Sequence, residues 1–460
     1  MIGGFGVNGT RGSLAALAAG LLTAASALPA SAADLGGDCC ADLEERIAEL
    51  EATTARKGNR KVSLELYGQV NESIIFWDDG FEDNAYQVTN DNSRTRFGFR
   101  GKAKIDSDWE AGYRLEIGVR TANSKRFTQS NPKGDDTPSD VGFDLRDSYW
   151  YLKGKKYGTV SLGQQAAASD GITEANLTQT KDFAKYSDVE DTGLGLFLRS
   201  PGGGLSSLSY RRLLIDSGDQ PGEGDRRQNS IKYESPTFAG FTASASWGGD
   251  DYWDIALRYA GEIGDFKVAA GISFLQITDG PETKHECQAR GGGIPKDEDC
   301  QHVGGSVSVV HEPTGLFVNA GAGIVTDDVL NTTARFAGTN ADDEASFWAV
   351  QAGIEKKWLP LGKTTIYGEY YDYDGGAINR GLTAADAVNP LGNAASIWGT
   401  GLEVYGFGIA QGLDNAATVL YLSYRHVQAD LTLRDNTNGN LADAAIEDLD
   451  LVQAGAIIKF

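Results

Sequence analysis

Histidine, methionine, cysteine and proline are scarce in this chain of 460 residues, which holds 4, 1, 4 and 11 of them. The histidines do not stand beside serine or aspartate in a pattern typical of an activated nucleophile, so an enzyme is not expected. Charged residues make up 23% of the chain, which excludes a helical membrane protein. Glycine, with 59 residues, and aromatic residues, at 10%, are abundant, a composition typical of β-strands joined by many turns.

The chain is acidic, with a formal net charge of -23, yet the stretch SRTRFGFRGKAK at 93–104 is strongly basic. Basic residues interleaved with phenylalanine would suit single-stranded nucleic acid. The spacing indicates otherwise, because the basic residues are even-numbered and the phenylalanines odd-numbered, so a strand would have one cationic and one apolar face. No nucleic-acid partner is expected. The basic residues are Arg94, Arg96, Arg100, Lys102 and Lys104.

An apolar stretch rich in alanine and leucine follows Arg11 and ends in Ala30-Ser31-Ala32, the small-x-small pattern of signal-peptidase cleavage. Residues 1–32 are therefore predicted to be a signal peptide. A membrane-anchor helix is the alternative, but Pro29 interrupts the stretch and no stop-transfer charges follow it.

Residues 33–60 are predicted to be a periplasmic linker with a short coiled coil. Leu43, Ile47, Leu50 and Thr54 alternate spacings of four and three, which is a heptad pattern. So short a coil is marginal alone, and it would form between chains already held together elsewhere. A single amphipathic helix on a domain surface is the alternative. No role is assigned to Cys39 or Cys40, which precede the heptads.

From residue 61 to 460 the apolar period is two, and segments of about ten residues alternate with connections of unequal length. Short turns such as 106–108 and 264–265 alternate with long polar segments such as 78–92, 121–143 and 166–192. The chain ends on the strand-like LVQAGAIIKF, with Phe460 last. These features predict an all-β fold, a transmembrane antiparallel β-barrel of 16 to 18 strands in the outer membrane. Counting the segments gives eighteen strands, and the lower number applies if the weak hairpin near 194–214 or the one near 399–428 does not belong to the wall.

Cys287 and Cys300 enclose a segment rich in glycine and acidic residues, and they are predicted to form a disulfide within a loop. A zinc site was weighed because His285 and His302 lie nearby, but the spacing does not favour it. Neither a metal nor a cofactor is expected.

The stretches KVSLELYGQVN, QPGEGDRRQNSIKYESPTFAGFTASASWG and DDYWDIALRYAGEIGDFKVAAGI resemble trimeric bacterial porins, in particular those of the Rhizobiales and related alphaproteobacteria. The resemblance covers most of the predicted mature chain. It implies a homotrimer in outer-membrane lipid and passive diffusion of small hydrophilic solutes and ions. The heptad pattern that leads into the first strand, and not the resemblance, motivates the hypothesis that the N-terminal segment braces the trimer or reaches toward the cell wall.

The resemblance also implies a pore constriction, in which the long loop after the fifth strand folds inward opposite arginines of the wall. The loop matches Ala166–Thr192, and a departure from the family pattern is that no arginine is expected at the start of the sixth strand. The constriction residues expected on the acidic loop are Asp170, Glu174, Asp182 and Asp188. Those expected on the basic wall are Arg94, Arg96, Arg100, Lys102, Arg114 and Arg146.

A substrate-specific channel, for example for sugars, is the alternative function, and it would need aromatic residues along the lumen, where Trp150 is the one expected to face inward. An outer-membrane enzyme and a structural envelope tether are more remote. For a porin, acids in the long loops, such as Asp78, Asp79 and Asp83, should enrich cations at the mouth. A weak cation preference at low salt is therefore expected.

Overall fold

The structure is a computed structural model, and it describes residues 61–135, 141–214, 220–224, 227–249, 251–278 and 299–460. The predicted signal peptide and coiled coil, together with Cys39, Cys40 and Cys287, lie outside the described residues. Within these ranges, no helix has the length and the apolar character needed to cross a membrane.

In the described part of the chain, sixteen antiparallel strands pair in chain order, and the last pairs with the first, so the wall is a closed barrel. The prediction of 16 to 18 strands is confirmed at its lower value. The strands are β1 (Glu65–Asp78), β2 in two segments (Asp83–Thr89 and Arg96–Lys104), β3 (Trp109–Arg120), β4 (Gly142–Gly154), β5 (Gly158–Ala166), β6 (Arg227–Glu234), β7 (Phe241–Gly248), β8 (Tyr252–Ile263), β9 (Phe266–Thr278), β10 (Asp299–His311), β11 (Leu316–Asp327), β12 (Glu344–Leu359), β13 (Gly362–Gly375), β14 (Ala395–Leu413), β15 (Thr418–Asp435) and β16 (Leu449–Lys459).

The two-residue period of the sequence becomes the two faces of the wall. In β1, Leu66 and Val70 are exposed on the outer face, whereas Gln69 and Asn71 are buried on the inner face. Such alternation of apolar-out and polar-in residues suits a wall between lipid and water. Exposed aromatic side chains gather near both ends of the outer face, as in the girdles of membrane barrels. They include Trp109, Tyr157, Phe238 and Phe460 near one end, and Phe143, Trp247 and Trp348 near the other.

The connections differ in length between the two ends of the barrel. At the short-turn end they include residues 105–108, 155–157, 264–265 and 360–361. At the long-loop end they include 121–141, 167–226, 279–298, 376–394 and 436–448. Residues 78–92, expected as a long loop, are instead mostly strand, because β1 and β2 form a hairpin closed by 79–82. By the rule for outer-membrane barrels, the short turns face the periplasm.

Cys300 lies in β10, fully buried, and is disulfide-bonded. Its expected partner, Cys287, falls in the segment outside the described residues, so the pairing of these two cysteines stays a prediction.

The connection between β5 and β6, residues 167–226, is the longest, and it does not add a hairpin to the wall. Within it, Phe197–Arg199 pairs with Leu205–Ser209 as a separate two-stranded sheet. Its described residues lie inside the barrel, where inward-facing glycines of β10 and β11 let them approach the wall backbone. A Cβ atom at Gly321 would overlap the carbonyl oxygen of Thr173, and one at Gly323 would overlap that of Pro221.

We expect the substitution Gly321→Val to displace the connection while leaving the wall intact, because valine suits a strand but its side chain would collide with Thr173. Overpacking of this kind costs about 1–3 kcal/mol. Trypsin should then cleave the connection after Lys181 faster than in the wild type. Ala322→Val, on the outer face of the same strand, is the matched control, and equal cleavage rates in the two variants would contradict the expectation.

Candidate functional site

Residues 169–192 follow the inner wall through hydrogen bonds to many strands. The backbone N–H groups of Ala175 and Leu177 donate to the hydroxyls of Ser306 and Ser308, at 2.9 and 3.0 Å. Farther along, the N–H of Gln179 donates to a carboxylate oxygen of Glu355 at 2.7 Å. Inward-facing polar residues of β10 and β12 therefore hold this segment. Those of β1 and β2 continue the same role, since Asn71 donates to the carbonyl of Asp182 and Asn90 to that of Phe183.

A buried ion pair supports the middle of this segment. Arg425 of β15 donates through Nε to Glu369 of β13 at 2.7 Å, and through Nη2 to the carbonyl of Lys185 at 2.8 Å. Both charged side chains are almost fully buried. A buried guanidinium that is paired and also bonds a loop carbonyl fixes the position of that loop.

The acids expected on the loop form ion pairs with lysines. Glu174 and Asp188 share Lys185, at 2.6 Å each, and Asp182 pairs with Lys459 of β16 at 2.6 Å. Asp170 contributes its carbonyl, which accepts a hydrogen bond from Arg258 at 2.7 Å. The structure thus brings Glu174 and Asp188 together, and it places Asp170 and Asp182 elsewhere along the inner wall.

Glu223 completes a buried cluster with these two acids. Its carboxylate accepts hydrogen bonds from the N–H and the hydroxyl of Thr173, at 2.9 and 2.6 Å. Burial raises the pKa of Glu223 well above its usual value, and repulsion by Glu174 and Asp188 adds to the rise. Burial likewise raises the pKa of Glu174 to about 7, against the opposing attraction of Lys185. Although burial alone would lower the pKa of Lys185, attraction by Asp188 and Glu174 raises it.

A group of arginines around Glu116 of β3 faces the part of the lumen that segment 169–192 does not cover. The carboxylate of Glu116 lies 2.5 Å from Arg114, 2.7 Å from Arg146 and 3.9 Å from Arg96. Its remaining hydrogen bond comes from the hydroxyl of Tyr67 at 3.0 Å. Three of the six arginine and lysine residues expected on the basic wall therefore meet at one carboxylate. Arg94 joins the group at its long-loop side, through Asp144 at 2.9 Å.

Arg100 and Lys102 lie closer to the short-turn end of β2. Arg100 pairs with Glu65 and stacks on Tyr67, 5.1 Å from the ring centre. Lys102 pairs with Glu110 at 3.8 Å and is largely exposed. Six residues of strand separate Lys102 from Arg96, a distance of about 20 Å. Lys102 thus stands apart from the arginine group.

Sequence reasoning missed two arginines of this group. Arg227 is the first residue of β6 and lies 3.4 Å from Asp147 of β4, so the expectation that no arginine begins the sixth strand is wrong. The error arose because β6 begins far beyond the end of the expected loop. Arg120 pairs with Asp91 at 2.7 Å, and its even number in β3, like that of Arg114, could have indicated it.

Trp150, expected to face inward, is instead exposed on the outer face, because a bulge in β4 changes the parity of the strand. Tyr149 takes an inward position near Arg114 and Asp147. The tryptophan on which an aromatic sugar path was weighed therefore does not line the lumen.

Six arginines in this group share the four carboxylates of Asp91, Glu116, Asp144 and Asp147, so the inner wall of β2–β4 and β6 carries excess positive charge. Of the acids on segment 169–192, Glu174 and Asp188 share Lys185, and Asp182 pairs with Lys459. A model of the Gram-negative porin family matches residues 13–432 of the chain. The chain belongs to the Gram-negative porin family. This porin crosses the bacterial outer membrane with its sixteen strands and forms a channel.

Solved structures of similar fold include the anion-selective porin of Comamonas acidovorans, which is 16% identical to this porin, with a TM-score of 0.50 over 87% of this chain and 100% of its own. OmpT of Vibrio cholerae and OmpF of Salmonella typhi in complex with daunomycin are each 12% identical, with TM-scores of 0.49 over 88% of this chain and 99% of theirs. At these identities the likeness concerns the fold alone. No curated protein sequence matches this porin.

The raised pKa of Glu174 gives a pH prediction for the inward segment. Because its folded pKa of about 7 lies above the value of an unfolded chain, its stabilisation is complete at pH 4 and is lost as the pH rises through 7. We therefore expect the current through single channels to fluctuate more often at pH 8 than at pH 6. The substitution Glu174→Gln should reduce the difference, and the part that remains belongs to the neighbouring buried acids Glu223 and Asp191, whose pKa values are also raised. Equal fluctuation of the wild type at both pH values would contradict this expectation.

Proposed function

We propose that small hydrophilic solutes and ions diffuse passively through a constriction between the arginine group and the inward segment 169–192. The observation that carries this proposal is the partial exposure of the arginines. An inward-facing side chain of a closed barrel can reach water only through the lumen, and the side chains of Arg96 and Arg114 are 26% and 37% exposed. Across the lumen, the segment that carries Asp170, Glu174, Asp182 and Asp188 forms the other side.

Two sets of charges act on an ion in this passage. The arginine group favours anions locally, while exposed acids of the long-loop end, such as Asp83, Asp251 and Asp448, favour cations at the mouth. Asp79 does not belong with these acids, because it is buried in an ion pair with Arg199. The sum supports a weak cation preference at low salt, the opposite of the selectivity named for the Comamonas porin.

The substitution Arg96→Ala should raise the single-channel conductance by roughly a few tens of per cent and strengthen the cation preference, because it removes a cation and a long side chain from the narrowest part. Lys102→Ala, near the short-turn end, should change neither quantity. Reversal potentials across a salt gradient provide the measurement. An anion-selective wild type would refute the proposed effect of the acids at the mouth. An Arg96→Ala channel identical to wild type would refute a passage along the arginine group.

We also propose that this porin is a homotrimer that meets its copies through the outer face of β1–β3. There, Glu72 accepts hydrogen bonds from Gln87 at 2.8 Å and from the hydroxyls of Thr89 and Thr95 at 3.0 Å. Burial of a carboxylate and its bonded hydroxyls in lipid hydrocarbon is costly, so contact with a second copy is the more favourable environment for this face. The narrower affiliation with the porins of the Rhizobiales is a proposal based on sequence resemblance, and the contact of residues 33–60 with the cell wall is a proposal based on their heptad pattern.

The substitution Glu72→Leu distinguishes contact with a second copy from contact with lipid, because the two environments predict opposite changes in stability. At a contact between copies, it leaves hydroxyls without an acceptor and should weaken the oligomer, by about 1–3 kcal/mol for each group left unsatisfied. Against lipid, leucine would instead stabilise the barrel. The temperature at which the oligomer dissociates in detergent should therefore fall. Val318→Leu on the outer face of β11 is the control, and an unchanged or raised temperature for Glu72→Leu would contradict the proposed contact.

A further inference from the structure

The inner face of the barrel is polar at mid-height but apolar toward the long-loop end. In β1 the inward residues Gln69, Asn71 and Ser73 are followed by Ile75 and Trp77. In β15, Arg425 is followed by inward Val427, Leu431 and Leu433, all at most 2% exposed. Water-filled barrels have polar interiors. The apolar inner surface must therefore pack against other apolar groups of the protein and not against water.

Those groups belong to the second part of the long connection, residues 194–214, which we call the plug. Seven of its apolar side chains are almost fully buried, and they form one hydrophobic cluster with inward residues of β8–β16, of β1 and of the first segment of β2. The plug contributes Leu194, Leu196, Leu198, Leu208, Tyr210, Leu213 and Leu214 to the cluster. Close contact continues to its ends, since a Cβ atom at Gly193 would collide with Leu451 of β16.

Polar anchors fix the plug to several loops of the same chain. Arg199 donates to the buried carboxylate of Asp79 through Nε and Nη2, at 3.0 and 2.7 Å. The hydroxyl of Tyr210 donates to the carbonyl of Glu447 at 2.6 Å. Gln129 binds Phe197 twice, donating to its carbonyl and accepting from its N–H, each at 3.0 Å. Anchors from the connections after β1, β3 and β15 hold the plug in a fixed position.

The plug covers only one side of the lumen. Of the described residues of β3 to β7, none belongs to the hydrophobic cluster. On that side the inward Asp144 is 32% exposed and Arg227 is 23% exposed, whereas Val427 and Leu433, behind the plug, are 0% exposed. At the long-loop end, water therefore reaches the inner wall at Asp144 and Arg227 and does not reach the wall behind the plug.

We propose that the plug, as a fixed apolar filling, closes the long-loop half of the lumen over β8–β16, β1 and the first segment of β2, and leaves a single path for solutes there, along β3–β6. This inference rests on the proposed passive channel and adds a second determinant of its size. Segment 169–192 limits the passage at mid-height. The plug limits it from there to the outer mouth, so solutes meet the arginine group along a one-sided groove rather than in a central pore.

Cysteine modification tests the path in the full-length protein, in a background in which Cys39 and Cys40 are replaced by serine. A charged methanethiosulfonate reagent added to single channels should reduce the current of Arg96→Cys and leave that of Val427→Cys unchanged. Reaction at residue 427 as fast as at residue 96 would overturn the plug. A lack of effect at residue 96 alone would instead refute the proposed passage along the arginines.

Removal of the plug hairpin is the second test of the proposal. Leu196 and Tyr210 are hydrogen-bonded neighbours, so Leu198–Leu208 can be replaced by two glycines without stretching the chain. This variant should keep the heat-modifiable gel mobility of a folded barrel. Its conductance should rise about twofold, because a second water-filled region opens, and Val427→Cys should become reactive. A folded variant with wild-type conductance and an unreactive residue 427 would overturn the proposal.

Discussion

A chain segment that runs through the inside of a barrel carries N–H and C=O groups that the ladder of the wall cannot satisfy. In this porin, serine, asparagine and glutamate side chains of the wall satisfy them, at Ser306, Ser308, Asn71 and Glu355. Small or absent side chains, as at Gly321 and Gly323, provide the room. These hydrogen bonds and glycines fix the path of the segment, and that path decides which part of the wall stays in contact with water. The surroundings of every group on the lumen side therefore depend on them.

Charge is arranged differently on the two sides of the lumen. On the segment, Lys185 lies between Glu174 and Asp188 and compensates only part of their charge. On the wall, Glu116 is surrounded by Arg96, Arg114 and Arg146, and the excess is positive. The two sides of the proposed passage therefore differ in the sign of their excess charge. Close ion pairs keep the arginines extended and in place, which limits the entropy lost when a solute passes.

The alternation of side chains, which is visible within ten residues, and the alternation of connection lengths, which is visible along residues 61–460, together predicted the barrel. The side-chain alternation also predicted the inward positions of Arg96 and Arg114, whereas Arg146 came from the family resemblance, and the role of all three in a constriction is a proposal. Sequence reasoning failed at Trp150, where a bulge shifts parity, and at Arg227, where the length of the connection was underestimated. The apolar interior was overlooked although stretches such as SIIFW at 73–77 are apolar on both faces. The errors at Trp150 and Arg227 could not be seen locally, since each depends on partners far away in the chain, whereas the apolar interior did leave this local signal.

The separation of those partners has a consequence for assembly. Tyr210 bonds Glu447, 237 residues later, and Arg425 bonds the carbonyl of Lys185 across 240 residues. Contacts of such range form late, since most of the chain must be ordered before they can close. The leucines of residues 194–214 therefore stay without their cover until β15, β16 and β1 have met. During that interval the nascent barrel carries an exposed apolar segment, and its escape from aggregation depends on how fast the wall closes or on a chaperone that shields leucine-rich chain.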